Sequence, residues 1–301
     1  MNRRGHCLFL IFAFIALLFG ADVSWTSAAV GVEAISLGIV SPKPQRRIEE
    51  NSDFVNYLAQ KLSSTSSIKG SILVAPTAMQ LAKLLNERKV DFYIESPYPT
   101  YVINKETGAR LLLRRWKDGV SEYRGVLFTR ADSGIHRVED LRGKIIAFED
   151  PGSTSGYFLP KLLLLRKGFR LMEKSSFEAN VSSKEIGYVF AGGSEKKLLS
   201  WVLLRKVAAG ALSDIELDKR DEKSKAEVAI LAETEMFPRH FLSVRKDLDP
   251  GIVNRLKEIL LSMHQDPEGQ KVLKKSDNTT KFDLLPGGEE VVRRKFRRLF
   301  D

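Results

Sequence analysis

Five consecutive residues carry the most pointed chemistry in this 301-residue chain: Ser153, Thr154 and Ser155, framed by Gly152 and Gly156. They stand directly before residues 157–167 (YFLPKLLLLRK), which read as a helix closed by Gly168, with Pro160 in its first turn. The first amides of a helix have no intrahelical partner and carry partial positive charge. Hydroxyl donors beside them, and glycines that let the backbone come close, make a cradle for an oxyanion. The same residues also describe an ordinary Ser/Thr cap on a helix. Both readings stand on the loop alone.

Little else in the chain suggests chemistry on a substrate. Cys7 is the only cysteine, which rules out a disulfide scaffold, a cysteine zinc site and a cysteine nucleophile in the body of the chain. His136, His240 and His264 are far apart, and no HExxH, GxSxG or carboxylate-pair motif accompanies them. No closely spaced His pair offers a zinc site. The reading is therefore of a binding protein rather than an enzyme, with no metal and no cofactor. The formal charge is +10, but the basic residues are scattered and no nucleic-acid recognition motif appears. One dense cluster, Arg293, Arg294, Lys295, Arg297 and Arg298, alternates with Val291, Val292, Phe296, Leu299 and Phe300 at helical spacing. It reads as a terminal amphipathic helix with a solvated basic face, or as a docking face for a partner or acidic headgroups.

The elements that position the loop alternate between strand and helix. Strands are expected at 34–40, 71–74, 90–94, 111–113, 123–129, 145–148, 188–191, 207–212, 228–232 and 241–244. Helices are expected at 47–62, after Thr77, at 157–167, 194–206 and 252–264. Such alternation argues for mostly parallel sheets with covering helices. Ligands in open α/β sheets lie at the carboxyl ends of strands, and three polar loops fall there: 41–45, 95–101 and 150–156. Ser96-Pro97-Tyr98-Pro99 ends the strand before it, because two prolines so close cannot continue a central strand. The stretch 214–227 is charged and reads as surface.

The first thirty residues read as an address. Arg3 and Arg4 precede an apolar run, Leu8 to Phe19, too short to span a bilayer comfortably. Ser27-Ala28-Ala29 supplies small residues for a signal peptidase, so residues 1–29 are expected to be removed, leaving a charge of +9. No later segment has about 20 uninterrupted apolar residues, so the chain is expected to be soluble after cleavage and exported to the periplasm.

The phrases DSGI (132–135), DLRGK (140–144) and AFEDPGSTSG (147–156) occur in that order before the proline-containing helix. Upstream, VDFYIESPYPTY (90–101) ends a strand in Ser-Pro-x-x-x-Tyr; downstream come FPRHFLSVRKDLD (237–249) and LLSMHQDPEGQKVL (260–273). Over about 35–285 the chain resembles the periplasmic phosphonate-, phosphite- and phosphate-binding proteins of ABC importers. The resemblance implies an α/β fold of the type II periplasmic-binding-protein kind, a two-lobed clamshell. Each lobe would be a mixed, mostly parallel sheet flanked by helices, with two hinge crossings near 122–130 and 228–240. Lobe 1 would take 30–126 and 230–301, and lobe 2 would take 127–229.

It further implies a small oxyanion ligand in the cleft and an ABC permease as partner. A diverged copy would instead act as a sensing module for a membrane histidine kinase or receptor. Ser153, Thr154, Ser155 and Gly156 would hold the ligand from the second lobe. Ser96 and either Tyr98 or Tyr101 would reach it from the first, with Ser41 at the mouth. Two positions depart from the family pattern: Glu195 stands where a histidine is usual, and Ala208 where an acid is usual. A carboxylate within about 4–6 Å repels a fully ionised anion, so Glu195 would face solvent, accept a ligand proton, or pair with a ligand amine.

Overall fold

The computed structural model describes residues 34–63 and 68–300. The signal-peptide reading of 1–29 lies outside them.

The chain starts with β1 (Ala34–Val40), α1 (Pro44–Leu62), β2 (Lys69–Ala75), α2 (Ala78–Asn86) and β3 (Phe92–Glu95). Helix α1 begins three residues earlier than its apolar stripe suggests. Pro44 needs no hydrogen-bond partner for its nitrogen and presets φ for a first helical position. Thr77 caps α2 as expected, its Oγ1 accepting the Gln80 N–H at 3.2 Å. After β3 the structure corrects the sequence reading. Residues 97–107 form a helix, α3 (Pro97–Thr107), where a loop was expected. The prolines that break the strand are also compatible with a helix start, where N–H groups have no use within the helix. Gly108, at φ +72°, ends it in the left-handed conformation.

Strand β4 (Arg110–Lys117) follows, then the short β5 (Glu122–Tyr123), and the chain passes into a second sheet. That sheet takes β6 (Gly125–Arg130), β7 (Ile145–Phe148), α4 (Leu159–Arg166), β8 (Arg170–Glu173), β9 (Glu185–Phe190), α5 (Glu195–Leu203) and β10 (Ala209–Ser213). The charged stretch 214–227 forms two short helices, α6 (Asp214–Asp218) and α7 (Glu222–Ala226), before β11 (Val228–Glu233). The chain returns through β12 (Phe237–Pro238) to β13 (His240–Val244), α8 (Pro250–Ser262), α9 (Pro267–Lys275), β14 (Thr279–Asp283) and α10 (Glu289–Phe300).

The first sheet has the order β14-β4-β13-β3-β1-β2 and the second β11-β6-β10-β7-β9-β8. In the first, β2, β1 and β3 are parallel while β13, β4 and β14 pair antiparallel. In the second, β10, β7, β9 and β8 are parallel while β6 and β11 pair antiparallel. Each is a mixed sheet with flanking helices, as the type II clamshell requires. Where the chain leaves and returns, β5 and β12 pair with each other, Tyr123 opposite Phe237.

Each sheet buries its own apolar faces. Ile35, Leu37, Phe54, Leu58, Leu256 and Leu260 fill one side of the first sheet. Phe128, Ala147, Leu198 and Val202 fill one side of the second, and Leu127, Ile146, Phe148 and Leu164 the other. A further cluster joins the C-terminal helix to both halves: Val292, Phe296 and Leu299 of α10 pack with Leu111, Phe237, Phe241 and Leu159. The basic side of α10 is not simply solvated. Arg293 donates to the Ala109 carbonyl at 3.1 Å, Lys295 to that of Met236 at 2.7 Å, and Arg298 pairs with Glu235.

Candidate functional site

Strands β1 and β3 end at one edge of the first sheet, and β7, β9 and β10 at one edge of the second. The loops that follow these ends supply the site. On the second sheet, β7 leads through Glu149 and Asp150 into a wide turn, Thr154–Phe158, that continues directly into α4. The helical path therefore starts earlier than residue 157. Its width has a chemical cause. Pro160 has no N–H to give the Gly156 carbonyl, so that carbonyl accepts the Glu149 N–H instead, at 3.0 Å. Phe158 N–H then reaches back five residues to the Ser153 carbonyl, at 2.9 Å. Gly156 admits no side chain here, because a Cβ would fall 2.7 Å from that of Glu149. Gly125 is equally constrained: its Cβ would meet the Ser155 carbonyl at 2.5 Å.

Ser153 fulfils the capping alternative. Its Oγ accepts the Gly156 N–H at 2.9 Å and donates to Glu149 Oε2 at 2.7 Å. Burial pushes the Glu149 carboxyl up to about 7, against the lowering effect of the Ser153 bond and with help from Asp150, Glu195 and Glu216. Thr154 and Ser155 are buried, 1% and 6% exposed.

Thr154 faces the first sheet. Its Oγ1 accepts the Tyr98 N–H at 2.9 Å and bonds Ser96 Oγ at 3.0 Å. The sequence explains why Tyr98 is the donor. Pro97 and Pro99 have no N–H, and Thr100 N–H already bonds the Ser96 carbonyl at 3.0 Å, so Tyr98 carries the one free amide of that helix start. The Tyr98 ring stacks on Phe158 at 4.1 Å and meets Phe300 edge-on at 5.9 Å. Tyr101 points elsewhere, packing on Phe296 and Phe300 of α10, and its hydroxyl accepts from Lys105 at 2.7 Å. Ser41 lies at the end of β1, where its Oγ accepts the Lys43 N–H at 3.1 Å.

Of the residues singled out from sequence, the structure brings together Ser96, Tyr98, Ser153, Thr154, Ser155 and Gly156. Glu195 opens α5 on the same edge of the second sheet. Its carboxylate lies 3.5 Å from Arg220, and burial together with Glu216 pushes its pKa up. Ala208 is a correction. Its N–H bonds the Ile145 carbonyl at 2.8 Å, placing it at the start of β10, the edge away from this loop. An acid missing there has no bearing on the site.

Two groups escape the sequence reading. Tyr123, buried at 5% exposure on β5, turns its hydroxyl to the side chains of Thr154 and Ser155. Alternation along 123–129 marks it only as a core residue. Arg239, 4% exposed, donates to the Lys117 carbonyl at 2.8 Å and pairs with Asp118 at 2.9 Å and Glu216 at 3.8 Å. Lys219 bonds Asp118 and Glu216, each at 2.9 Å. Asp118 and Arg239 flank the first sheet and Glu216 and Lys219 follow the second, so these ions tie the two halves beside the loop. Among the described residues no group of His, Cys, Asp or Glu is arranged to hold a metal ion.

A family model described as the periplasmic substrate-binding protein of phosphonate ABC transporters matches residues 37–285. The phosphate-import protein PhnD of Mycolicibacterium smegmatis is 24% identical over 269 residues, covering 85% of this chain and 81% of that one. XAC2383 from Xanthomonas citri, solved bound to chloride, superposes with a TM-score of 0.82 at 29% identity, covering 89% of this chain and 96% of that one. The same protein has been solved bound to ATP, with a TM-score of 0.79 at 28% identity and coverage of 89% and 100%. PhnD1 from Prochlorococcus marinus, solved with methylphosphonate, shares the fold at a TM-score of 0.63 and 15% identity, with coverage of 88% and 99%.

Proposed function

Since this chain belongs to the periplasmic substrate-binding proteins of phosphonate ABC transporters, we propose that it captures a small oxyanion between its two lobes. It is a binding component, not an enzyme. The family implies a small ligand, a permease partner and an extracytoplasmic location. Removal of residues 1–29 on export fits that location. Among the described residues no helix is long and apolar enough to cross a membrane.

One observation carries the reading. Thr154 of the second lobe meets Ser96 and the Tyr98 amide of the first through two hydrogen bonds. A backbone N–H and neutral hydroxyls on opposite sides of a cleft are donors that an anionic oxygen accepts without a bulky counter-charge. An oxygen entering there takes the Tyr98 N–H and the Thr154 hydroxyl in place of their bonds to each other and to Ser96. Ser153 joins by turning its hydroxyl from Glu149. Tyr123 and Ser155 line the same spot, and Ser41 lies at the neighbouring strand end.

In this reading lobe 1 comprises 30–126 and 230–301, and lobe 2 comprises 127–229. They move about the crossings near 122–130 and 228–240, which the β5–β12 pair holds together. Ligand shifts the open–closed equilibrium by the contacts it makes only when both lobes meet, and the permease reads the closed form. Glu195, paired with Arg220, borders the site and screens ligands by charge.

Thermal-shift screening and calorimetric titration with phosphate, phosphite, methylphosphonate, aminoethylphosphonate, sulfate and ATP test the proposal. A tight ligand raises apparent stability by mass action, so one clear response is expected. Replacing Ser153 and Thr154 together with alanine removes two donors to a charged group, worth about 1.5–3 kcal/mol each, and should weaken binding by about a hundredfold or more. No response to any oxyanion, or unchanged affinity in the double variant, overturns it.

A further inference from the structure

We propose that Glu149 couples ligand capture to the uptake of one proton, which frees the Ser153 hydroxyl to serve the bound anion. Glu149 is a positioning residue here: it acts through Ser153, and its role rests on the oxyanion reading of the loop. Ser153 has one proton to give and gives it to Glu149 Oε2 at 2.7 Å, while its oxygen accepts the Gly156 N–H at 2.9 Å. An ionised Glu149 can only accept. A Ser153 hydroxyl turned to a ligand therefore leaves a half-buried carboxylate oxygen without its donor. Glu149 is held in place meanwhile. Its Cβ stands 2.7 Å from where a Cβ of residue 156 would be. Its N–H bonds the Gly156 carbonyl at 3.0 Å, and its carbonyl accepts the Gly193 N–H at 2.9 Å.

Protonation removes the conflict. With a proton from solvent on Oε2, Glu149 donates to Ser153 Oγ. That oxygen keeps the Gly156 N–H on its second lone pair, and the Ser153 O–H is free to point at the ligand. The anion in turn favours the proton: across one hydroxyl it lies within the ~4–6 Å over which like charges disfavour ionisation, and linkage makes the two effects reciprocal. The groups around Glu149 point the same way. Burial, opposed by the Ser153 bond and aided by Asp150 in the loop, Glu195 of α5 and Glu216 of α6, pushes its pKa up to about 7. The basic groups of these elements and their neighbours are engaged elsewhere. Arg220 lies 3.5 Å from Glu195 and 3.7 Å from Glu216, Lys219 bonds Glu216 and Asp118, Arg239 pairs with Asp118, and Lys117 with Asp277. Tyr123 on β5, within electrostatic reach, is kept neutral by burial.

The test follows the affinity of the full chain for methylphosphonate and for phosphate by calorimetric titration from about pH 6 to about pH 8, in wild type and Glu149→Gln. The glutamine amide can donate to Ser153 at every pH, as the protonated acid does. The ligands' own titration is common to both proteins and cancels in the ratio of their affinities. With Glu149 titrating at about 7 in the free protein, wild-type affinity falls as pH rises, and the ratio of variant to wild type should increase about tenfold across the window. Runs in two buffers of different ionisation heat should count about one more proton taken up by wild type than by the variant at about pH 8, and almost none at about pH 6. Should the variant fold poorly, the wild-type count stands by itself: at the higher pH it exceeds the ligand's own proton change by about one. A flat ratio, or a wild-type count equal to the ligand's own, overturns the coupling and leaves the oxyanion reading intact. No binding by the wild-type protein overturns both.

Discussion

Thr154→Val keeps the shape of the side chain and deletes the hydroxyl that joins the two halves of the molecule. The Tyr98 amide then has no acceptor at a site where Thr154 is 1% exposed, and neither flanking proline can rearrange to help. An unpaired buried donor costs about 1–3 kcal/mol. Ser96 is half-buried and can turn to water, adding roughly 0–1 kcal/mol. The total is about 1–4 kcal/mol, and at about 2–4 °C per kcal/mol for a chain of this size the melting midpoint should fall by about 2–16 °C. Thr154→Ser retains the hydroxyl and serves as the control; it should lose less than about 1 kcal/mol. Calorimetry of the three proteins measures the effect. Solution scattering should find the valine variant more expanded, since the lost bonds hold β3's helix to β7's loop. Equal midpoints for the valine and serine variants would refute the claim that these bonds dock the halves.

Gly156→Ala forces a Cβ into Glu149, so denaturant unfolding should report a loss of about 1–3 kcal/mol from overpacking. Glu149 titrates at about 7 when folded, above its ordinary value of 4.5. The folded form therefore holds the extra proton between those values, and this group's contribution to stability declines as pH rises from about 4.5 to about 7. Melting midpoints measured across that window should slope less steeply in Glu149→Gln; an unchanged slope refutes the assignment. Phe296→Ala empties a site in α10 that is 4% exposed, stacked on Phe237 at 5.7 Å and edge-on to Phe241 at 5.3 Å, and should cost about 3–5 kcal/mol by equilibrium unfolding.

Local rules made much of this molecule legible. The Gly-Ser-Thr-Ser-Gly run announces a helix start with free donors, and strand–helix alternation announces parallel sheets with covering helices, while the division into two mixed sheets comes from the family resemblance. The prolines at 97 and 99 show where local reading stops. They exclude a continued strand, yet loop and helix start are both open to them, and the contacts that go with the helix, Ile103 in the cluster of Tyr93 and Tyr101 against α10, are distant in sequence or in the fold. Strands β8 and β14 escape because Arg170–Glu173 and Thr279–Asp283 are short sheet-edge segments with weak apolar alternation. The Ser153–Glu149 bond is local but depends on the width that Pro160 imposes. The contacts of Tyr123 with Thr154, and of Arg239 with Asp118 and Glu216, join residues distant in sequence. No periodicity encodes such meetings; the topology of the sheets creates them.

The C-terminal helix has a practical consequence. Phe300 touches Phe158 at 5.0 Å, Tyr101 at 5.1 Å and Phe237 at 6.1 Å, so the last turn of the chain is wedged among rings from both sides of the molecule. A bulky group introduced at this turn would load the seam directly, and a small fluorophore placed on its exposed side becomes a ready gauge of how the seam moves.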